Sequence, residues 1–114
     1  IGENTHLAFN DPHVALFNDP KIVKVVDLDE KCRTQQVNDG CFVALQEVPA
    51  NALTITIPAL FKSTYAYAVV PGELKANAIY HTLHDEVEEK YPSTILRRHP
   101  NAVLFIDENS AKKI

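Results

Sequence analysis

The first twelve residues hold the side chains best suited to chemistry. The segment IGENTHLAFNDP places His6 five residues before Asp11. Histidine has an ordinary pKa of about 6.5, so it can accept and release protons at neutral pH. Asp11 can accept a hydrogen bond from one ring nitrogen and stabilise the imidazolium. The pair predicts proton-transfer chemistry, although a lone histidine is more often a packed residue, and an aspartate before Pro12 also suits a turn.

Lys75 is a second candidate, for binding an anion. It follows the segment VVPG at the start of a predicted helix. Backbone N–H groups and the helix dipole favour negative charge at such a place. The alternative interpretation is a solvated helix lysine.

One helix face could also hold a metal ion. Imidazole and carboxylate groups follow one another at spacings of three and four residues, which places them on the same side of a helix. That side is opposite to the apolar stripe of the same helix, so we interpret it as solvent-exposed. The four residues are His81, His84, Asp85 and Glu88.

Strands and helices alternate along the chain, which predicts an α/β fold. Runs rich in β-branched or apolar residues predict strands near 22–28, 53–57, 65–70 and 102–107. The last two runs are almost continuously apolar, which is typical of parallel strands covered on both faces. We therefore expect one parallel sheet. A helix near 73–89 should pack on it through one stripe, Ala76, Ile79, Leu83 and Val87.

Local signals predict where the shorter helices begin and end. Asp27 with Glu30 three residues later resembles a capping box. The helix that follows should end at Gly40 in the left-handed conformation. Pro58 suits the first turn of another short helix.

Composition limits the classes of partner. The chain of 114 residues has a net charge of −4 and a pI near 5.7, which argues against nucleic acid as the main partner and against acidic membranes. No apolar run is long enough to predict a membrane span. Cys32 and Cys41 lie in no metal or redox motif, so we expect free thiols, as in a reducing cytoplasm.

Four segments resemble one family in the same order. GENTHLAFNDP is similar to the signature loop of the glucosamine-6-phosphate deaminase (isomerase) family, and ALTITIPAL, VVPGELKA and HPNAVLFID resemble later segments of it. The related 6-phosphogluconolactonases share the Gly-His portion but continue differently. The resemblance implies a three-layer Rossmann-like fold with a mainly parallel sheet, of which residues 1–114 form the C-terminal half.

The resemblance also implies an activity. Family members convert glucosamine 6-phosphate to fructose 6-phosphate and ammonia, without a cofactor or metal, so the expected partner is a small sugar phosphate. A homo-oligomer is left open. We expect the 114 residues to be inactive alone, because the family draws other residues from its first half. The alternatives are a catalytically silent sugar-phosphate-binding or regulatory relative, and a lactonase-like hydrolase.

Site residues follow from the same resemblance. It implies that His6 and Asp11 form the ring-opening pair, with Asn4 at the position of an aspartate that tunes the histidine. It implies that Lys75 binds the substrate phosphate. Arg33 is a substitute candidate for a family arginine that an ungapped count would place near residue 38, and an exposed helix arginine is the favoured alternative for it.

Thr5 departs from the family pattern. The family has glycine there, as expected where the backbone needs a positive φ or approaches the sugar closely. A β-branched residue is poor in both respects. This substitution is what favours the silent alternative.

Overall fold

The computed structural model describes all 114 residues and contains four strands and three α-helices. Three short 3₁₀ helices lie between them, at Leu45–Glu47, Glu73–Lys75 and Pro92–Arg98. The principal elements, in chain order, are β1 (Val23–Asp27), α1 (Glu30–Asn38), β2 (Asn51–Ile55), α2 (Ile57–Phe61), β3 (Ala66–Val70), α3 (Ala76–His84) and β4 (Ala102–Ile106). The α/β class and the positions of all four strands are confirmed.

The prediction of a single parallel sheet is wrong. β3 and β4 pair in parallel, with Ala66 opposite Ala102 and Val70 opposite Ile106. β1 and β2 instead pair antiparallel as a separate two-stranded sheet, with Val23 opposite Ile55. Composition and periodicity report which face of a strand is apolar, but they carry no information about the direction of its neighbour.

One face of each sheet is open, which also differs from the expected burial on both faces. Side chains of successive strand residues point to opposite faces, so burial alternates along β1, β2 and β3. Val26 of β1 and Val70 of β3 are buried. The exposed strand residues include Val23, Val25, Leu53, Ile55, Tyr67, Val69, Val103 and Phe105.

The helix after β3 is shorter than predicted. A 3₁₀ turn precedes α3, and α3 ends at His84 because Asp85 adopts an extended conformation. Arg97 donates to the backbone carbonyls of Thr82 and Asp85, at 3.2 and 2.6 Å. These hydrogen bonds supply partners to carbonyls at the end of the helix. Of the predicted stripe, Ala76 and Ile79 are buried, whereas Leu83 is exposed and Val87 lies beyond the helix.

The caps of the shorter helices are partly as predicted. Gly40 has a φ of 79°, which confirms the left-handed position after α1, and Pro58 occupies the first turn of α2. The N-cap prediction is wrong by two residues. Asp29, not Asp27, accepts a hydrogen bond from the Cys32 amide at 2.7 Å.

The apolar core is small, and its buried residues come from the segment before β1, from α2 and from the last 3₁₀ helix. Ala15, Ile57 and Ile95 form its buried centre. Partly buried side chains surround it, namely Leu7, Phe17, Phe61 and Val87. No helix in the structure has the length and hydropathy needed to cross a bilayer. Both cysteines are free, as predicted.

Candidate active site

The loop that carries His6 is a tight turn closed by its own backbone. The Gly2 amide donates to the His6 carbonyl at 3.0 Å, and the Thr5 amide donates to the Gly2 carbonyl at 2.9 Å. This folds the His6 ring over Gly2. A Cβ atom on Gly2 would lie 2.1 to 2.4 Å from three ring atoms of His6, so only glycine fits beneath the ring.

Three elements hold this loop in place. Gln35 of α1 accepts a hydrogen bond from the Glu3 amide at 2.9 Å. Thr54 of β2 accepts one from the Phe9 amide at 3.0 Å. The amide of Ser93, in the last 3₁₀ helix, donates to the Thr5 carbonyl at 3.0 Å. The loop is therefore positioned by a helix, a strand and a 3₁₀ helix at once.

Asn4 and Asp11 fix the tautomer of His6. The Nδ2 atom of Asn4 donates to Asp11 at 2.9 Å and to Asp29 at 2.7 Å. Its Oδ1 atom therefore faces His6 Nδ1 at 2.6 Å, and Asp11 Oδ1 lies 3.2 Å from the same nitrogen. Both oxygens only accept, so Nδ1 of the neutral ring must carry the proton. The lone pair is then on Nε2, which makes no hydrogen bond within the chain.

Asp11 lies at the centre of this network and is fully buried. Burial opposes ionisation, but hydrogen bonds from His6, Asn4 and the Asp29 amide outweigh it and hold the pKa of Asp11 below its ordinary value. Asp11 is therefore a carboxylate at neutral pH. The predicted contact between His6 and Asp11 is confirmed, and the charge beside Nδ1 can stabilise a protonated ring.

Cys32 is an unpredicted member of the same cluster. Burial raises the pKa of its thiol to about 12, and the nearby charges of Asp11 and Asp29 add to the effect. Ligand atoms of His6, Asp11 and Cys32 all lie within 4.8 Å of one another.

Thr5 adopts the backbone conformation for which glycine is suited. Its φ is 69°, in the left-handed region, and its side chain is buried with a hydroxyl that has no hydrogen-bond partner. Of the two reasons for glycine at this position, the structure shows the positive φ. The loop therefore accommodates a β-branched residue in a strained conformation.

Lys75 is half-buried at the junction of a 3₁₀ turn and α3, and it makes no ion pair. Its positive charge opposes the rise in the pKa of Cys32 and lowers the pKa of the Ile1 amino group, which burial lowers first. Lys75 is therefore close enough to the Cys32 thiol and to the Ile1 amino group for its charge to act on both. A cleft shared by Lys75 and His6 stays a prediction.

Arg33 makes backbone contacts. Its guanidinium donates to the backbone carbonyls of Leu45 and Val48, at 3.0 and 3.2 Å, and so holds the segment after α1. Binding of the substrate phosphate by Arg33 stays a prediction.

The imidazole and carboxylate groups at the end of α3 do not form a cluster of metal-ligating atoms. His81 pairs with Asp85 at 2.6 Å, and its ring stacks on Tyr91 with centroids 4.3 Å apart. His84 is exposed, and Glu88 lies beyond the helix. The prediction that this face is solvent-exposed is therefore correct for His84 and only partly so for His81.

Three site residues were not predicted from the sequence, namely Asp29, Cys32 and Gln35. Asp29 carried a signal, because an aspartate directly before a helix is a usual N-cap. Gln35 and Cys32 are separated from the His6 loop by more than twenty residues and contact it only after folding. No spacing rule would have found them.

Comparison with known proteins gives a consistent set of relatives. No family model matches the chain. It is 30% identical over 114 residues to a glucosamine-6-phosphate deaminase of Halalkalibacterium halodurans, covering 100% of this chain and 44% of the relative. It is 37% identical over 111 residues to that of Clostridium botulinum strain Eklund 17B, covering 97% and 43%.

A solved structure agrees with these relatives. The fold superposes on a monomeric glucosamine-6-phosphate deaminase with a TM-score of 0.89 and 31% identity, over 100% of this chain and 45% of that one. The chain thus spans less than half the length of the proteins it matches. Over its whole length it is similar to the C-terminal half of glucosamine-6-phosphate deaminases, which confirms the resemblance first seen in the His6 loop.

Proposed function

We propose that the protein containing these residues converts glucosamine 6-phosphate to a keto-sugar phosphate and ammonia. The observation that carries this proposal is the hydrogen-bond arrangement around His6. Asn4 and Asp11 keep the proton on Nδ1 and leave Nε2 as a free base. The similarity to deaminases supports the substrate class.

The first step assigned to His6 is opening of the sugar ring. Opening a cyclic aldose removes a proton from the hydroxyl on the anomeric carbon and adds one to the ring oxygen, while the bond between that carbon and the ring oxygen breaks. Nε2 can accept the first proton and return it to the ring oxygen. Between the two transfers the ring is an imidazolium, which the Asp11 carboxylate stabilises from the Nδ1 side.

Lys75 is the proposed ligand of the substrate phosphate. It is the free ammonium group whose charge acts on the His6 and Cys32 cluster. A lysine at the start of a helix suits a phosphate as a point charge. Lys75→Ala should mainly raise KM, whereas His6→Asn should mainly lower kcat.

The test is an assay of the full-length gene product for release of ammonia from glucosamine 6-phosphate. We expect His6→Asn to reduce kcat by about 10²- to 10⁴-fold, the usual contribution of general acid–base catalysis. His13→Asn is the matched control, because His13 is exposed and pairs only with Asp27. The 114 residues alone should release no ammonia above a His6→Ala background.

The strained Thr5 is the observation that favours the silent relative. Tight binding of glucosamine 6-phosphate by the full-length product, without release of ammonia, would replace the proposed enzyme with a sugar-phosphate-binding protein. Hydrolysis of a phosphogluconolactone, followed separately as release of acid, would instead favour the lactonase-like alternative. A cytoplasmic location stays a prediction.

A further inference from the structure

The buried cluster around His6 contains the ligand set of a thiophilic metal. Its three side chains come from separate places in the chain: His6 from the loop, Asp11 from the turn after it, and Cys32 from the first turn of α1. Imidazole, carboxylate and thiolate are the three ligand types that Zn²⁺ takes in proteins. Asp11 and Cys32 are 0 and 1% exposed.

The spacing of these donor atoms suits a tetrahedral ion. All three lie within 4.8 Å of one another. His6 Nδ1 and Asp11 Oδ1 are 3.2 Å apart. Two ligand atoms at zinc bonding distance and at a tetrahedral angle are separated by about 3.3 Å. The imidazole and carboxylate are thus already spaced as ligands, and the Cys32 sulfur lies within 4.8 Å of a ligand atom of each.

We propose that His6, Asp11 and Cys32 form an inhibitory Zn²⁺ site that competes with the catalytic state of His6. Zn²⁺ would bind Nδ1 of His6, a carboxylate oxygen of Asp11 and the sulfur of Cys32. The thiol proton is released to solvent, and the Nδ1 proton of the neutral ring moves to Nε2. No electrons are transferred.

This proton relocation is what makes the metal inhibitory. Catalysis needs the proton on Nδ1 and the lone pair on Nε2, whereas the metal needs the reverse. Zn²⁺ therefore removes the proposed base without blocking the approach of the sugar. The inhibition rests on the proposed function, but the binding of the metal does not.

Asn4 competes with the metal for His6. Its Oδ1 atom lies 2.6 Å from His6 Nδ1, so Zn²⁺ must displace the hydrogen bond that this nitrogen donates. The cluster is therefore suited to respond to raised zinc, rather than to retain a resident ion.

The first experiment follows binding with Co²⁺ as a spectroscopic substitute for Zn²⁺. Titration of the reduced full-length protein should produce a thiolate-to-cobalt charge-transfer absorption, which excess Zn²⁺ abolishes. Cys32→Ser and Cys32→Ala should both lose this absorption. Cys41→Ser is the matched control and should retain it, because Cys41 is exposed and outside the cluster.

A second control separates this site from a neighbouring one. Asp11, His13 and Asp29 also bring ligand atoms within 4.8 Å, but they offer no thiol. His13→Asn should leave the cobalt absorption unchanged. Absence of the absorption in the wild type, its persistence in folded Cys32→Ser, or its loss in Cys41→Ser would each overturn the proposal. Circular dichroism of every variant checks folding.

The inhibition is measured separately, as release of ammonia with and without Zn²⁺. We expect reversible loss of activity that a chelator restores, and no such loss in Cys32→Ser relative to the same variant without metal. Cobalt binding without inhibition by Zn²⁺ would overturn the inhibitory role and leave only the metal-binding site. If the wild type lacks deaminase activity, the proposed function fails, while the cobalt titration still decides the metal site.

Discussion

The contact between Gly2 and His6 makes the loop intolerant of any side chain at position 2. Gly2→Ala would push a Cβ atom into the imidazole, so the ring must move. We expect a loss of about 1 to 3 kcal/mol of stability, as for overpacking in a core, together with a large fall in kcat. Urea unfolding and the ammonia assay measure the two effects.

Gly40→Ala is the control for Gly2→Ala, because it changes backbone strain without a clash against the His6 ring. Gly40 also has a positive φ, but a Cβ atom added there would have no neighbour within 4 Å. This variant should lose about 1 kcal/mol of stability and keep its activity. Equal losses of kcat in the two variants would show that the contact beneath the ring has no catalytic consequence.

Strain at Thr5 can be measured with a pair of substitutions. Thr5→Gly and Thr5→Ala both remove the hydroxyl and the methyl group, and they differ only in the Cβ atom that disfavours a φ of 69°. We expect the glycine variant to be more stable than the alanine variant by about 1 kcal/mol. The difference in the free energy of unfolding gives the answer. Greater stability of the alanine variant would mean that the loop changes its conformation.

At the scale of the elements, the start of α1 links helix stability to the site. Asp29 caps the helix through Cys32 and also accepts a hydrogen bond from Asn4, which orients the amide toward His6. Asp29→Ala should therefore cost about 1 kcal/mol and also shift the pH dependence of kcat. The matched control is Asp27→Ala, because Asp27 only pairs with the exposed His13. Identical pH profiles for Asp29→Ala and the wild type would assign Asp29 a purely structural role.

The sequence allowed the elements to be predicted better than their arrangement. Strand positions follow from apolar and β-branched runs, and the turns at Gly40 and Pro58 follow from local backbone preferences. The antiparallel pairing of β1 with β2 depends on the path of the segment between them, which brings the chain back to pair β2 with β1 in the opposite direction. No local sequence pattern records that path. The end of α3 was missed for a similar reason, because Arg97 satisfies the last helical carbonyls from a distant 3₁₀ helix.

The site shows the same division between local and distant information. The contact of His6 with Asp11 could be predicted because both lie in one short segment. The contribution of Cys32 could not, since it depends on where α1 meets the loop. The backbone contacts of Arg33 could not be predicted either, because an arginine on a helix looks the same in sequence whether it binds a phosphate or two backbone carbonyls.

For the whole molecule, three aspartates predict how stability depends on pH. Besides Asp11, the pKa of Asp19 is lowered, first by a hydrogen bond from Lys24, and that of Asp107 is lowered, first by the Ser110 amide. A depressed pKa in the folded state means stability that is present above the ordinary aspartate pKa of about 3.9. That stability is lost as pH falls through the lower folded values.

Asp19→Asn tests this dependence. It removes the carboxylate that pairs with the mostly buried Lys24 at 2.6 Å. The free energy of unfolding should be lower than in the wild type at pH 7, and the difference should shrink as pH falls below about 4. The exposed Glu108→Gln is the control. A difference that stays constant from pH 7 to strongly acidic pH would contradict the assignment.

The parallel pairing of β3 with β4 has a consequence for how the chain folds. α3 and two 3₁₀ helices separate the two strands, so a long loop must close before their hydrogen bonds form. Local helices can form earlier, and strand pairing should be the slower event. The chain has no tryptophan, and Tyr67 of β3 lies 6.4 Å from Phe105 of β4 between ring centroids. The fluorescence emission of Tyr67 can therefore follow the pairing of β3 with β4 during refolding.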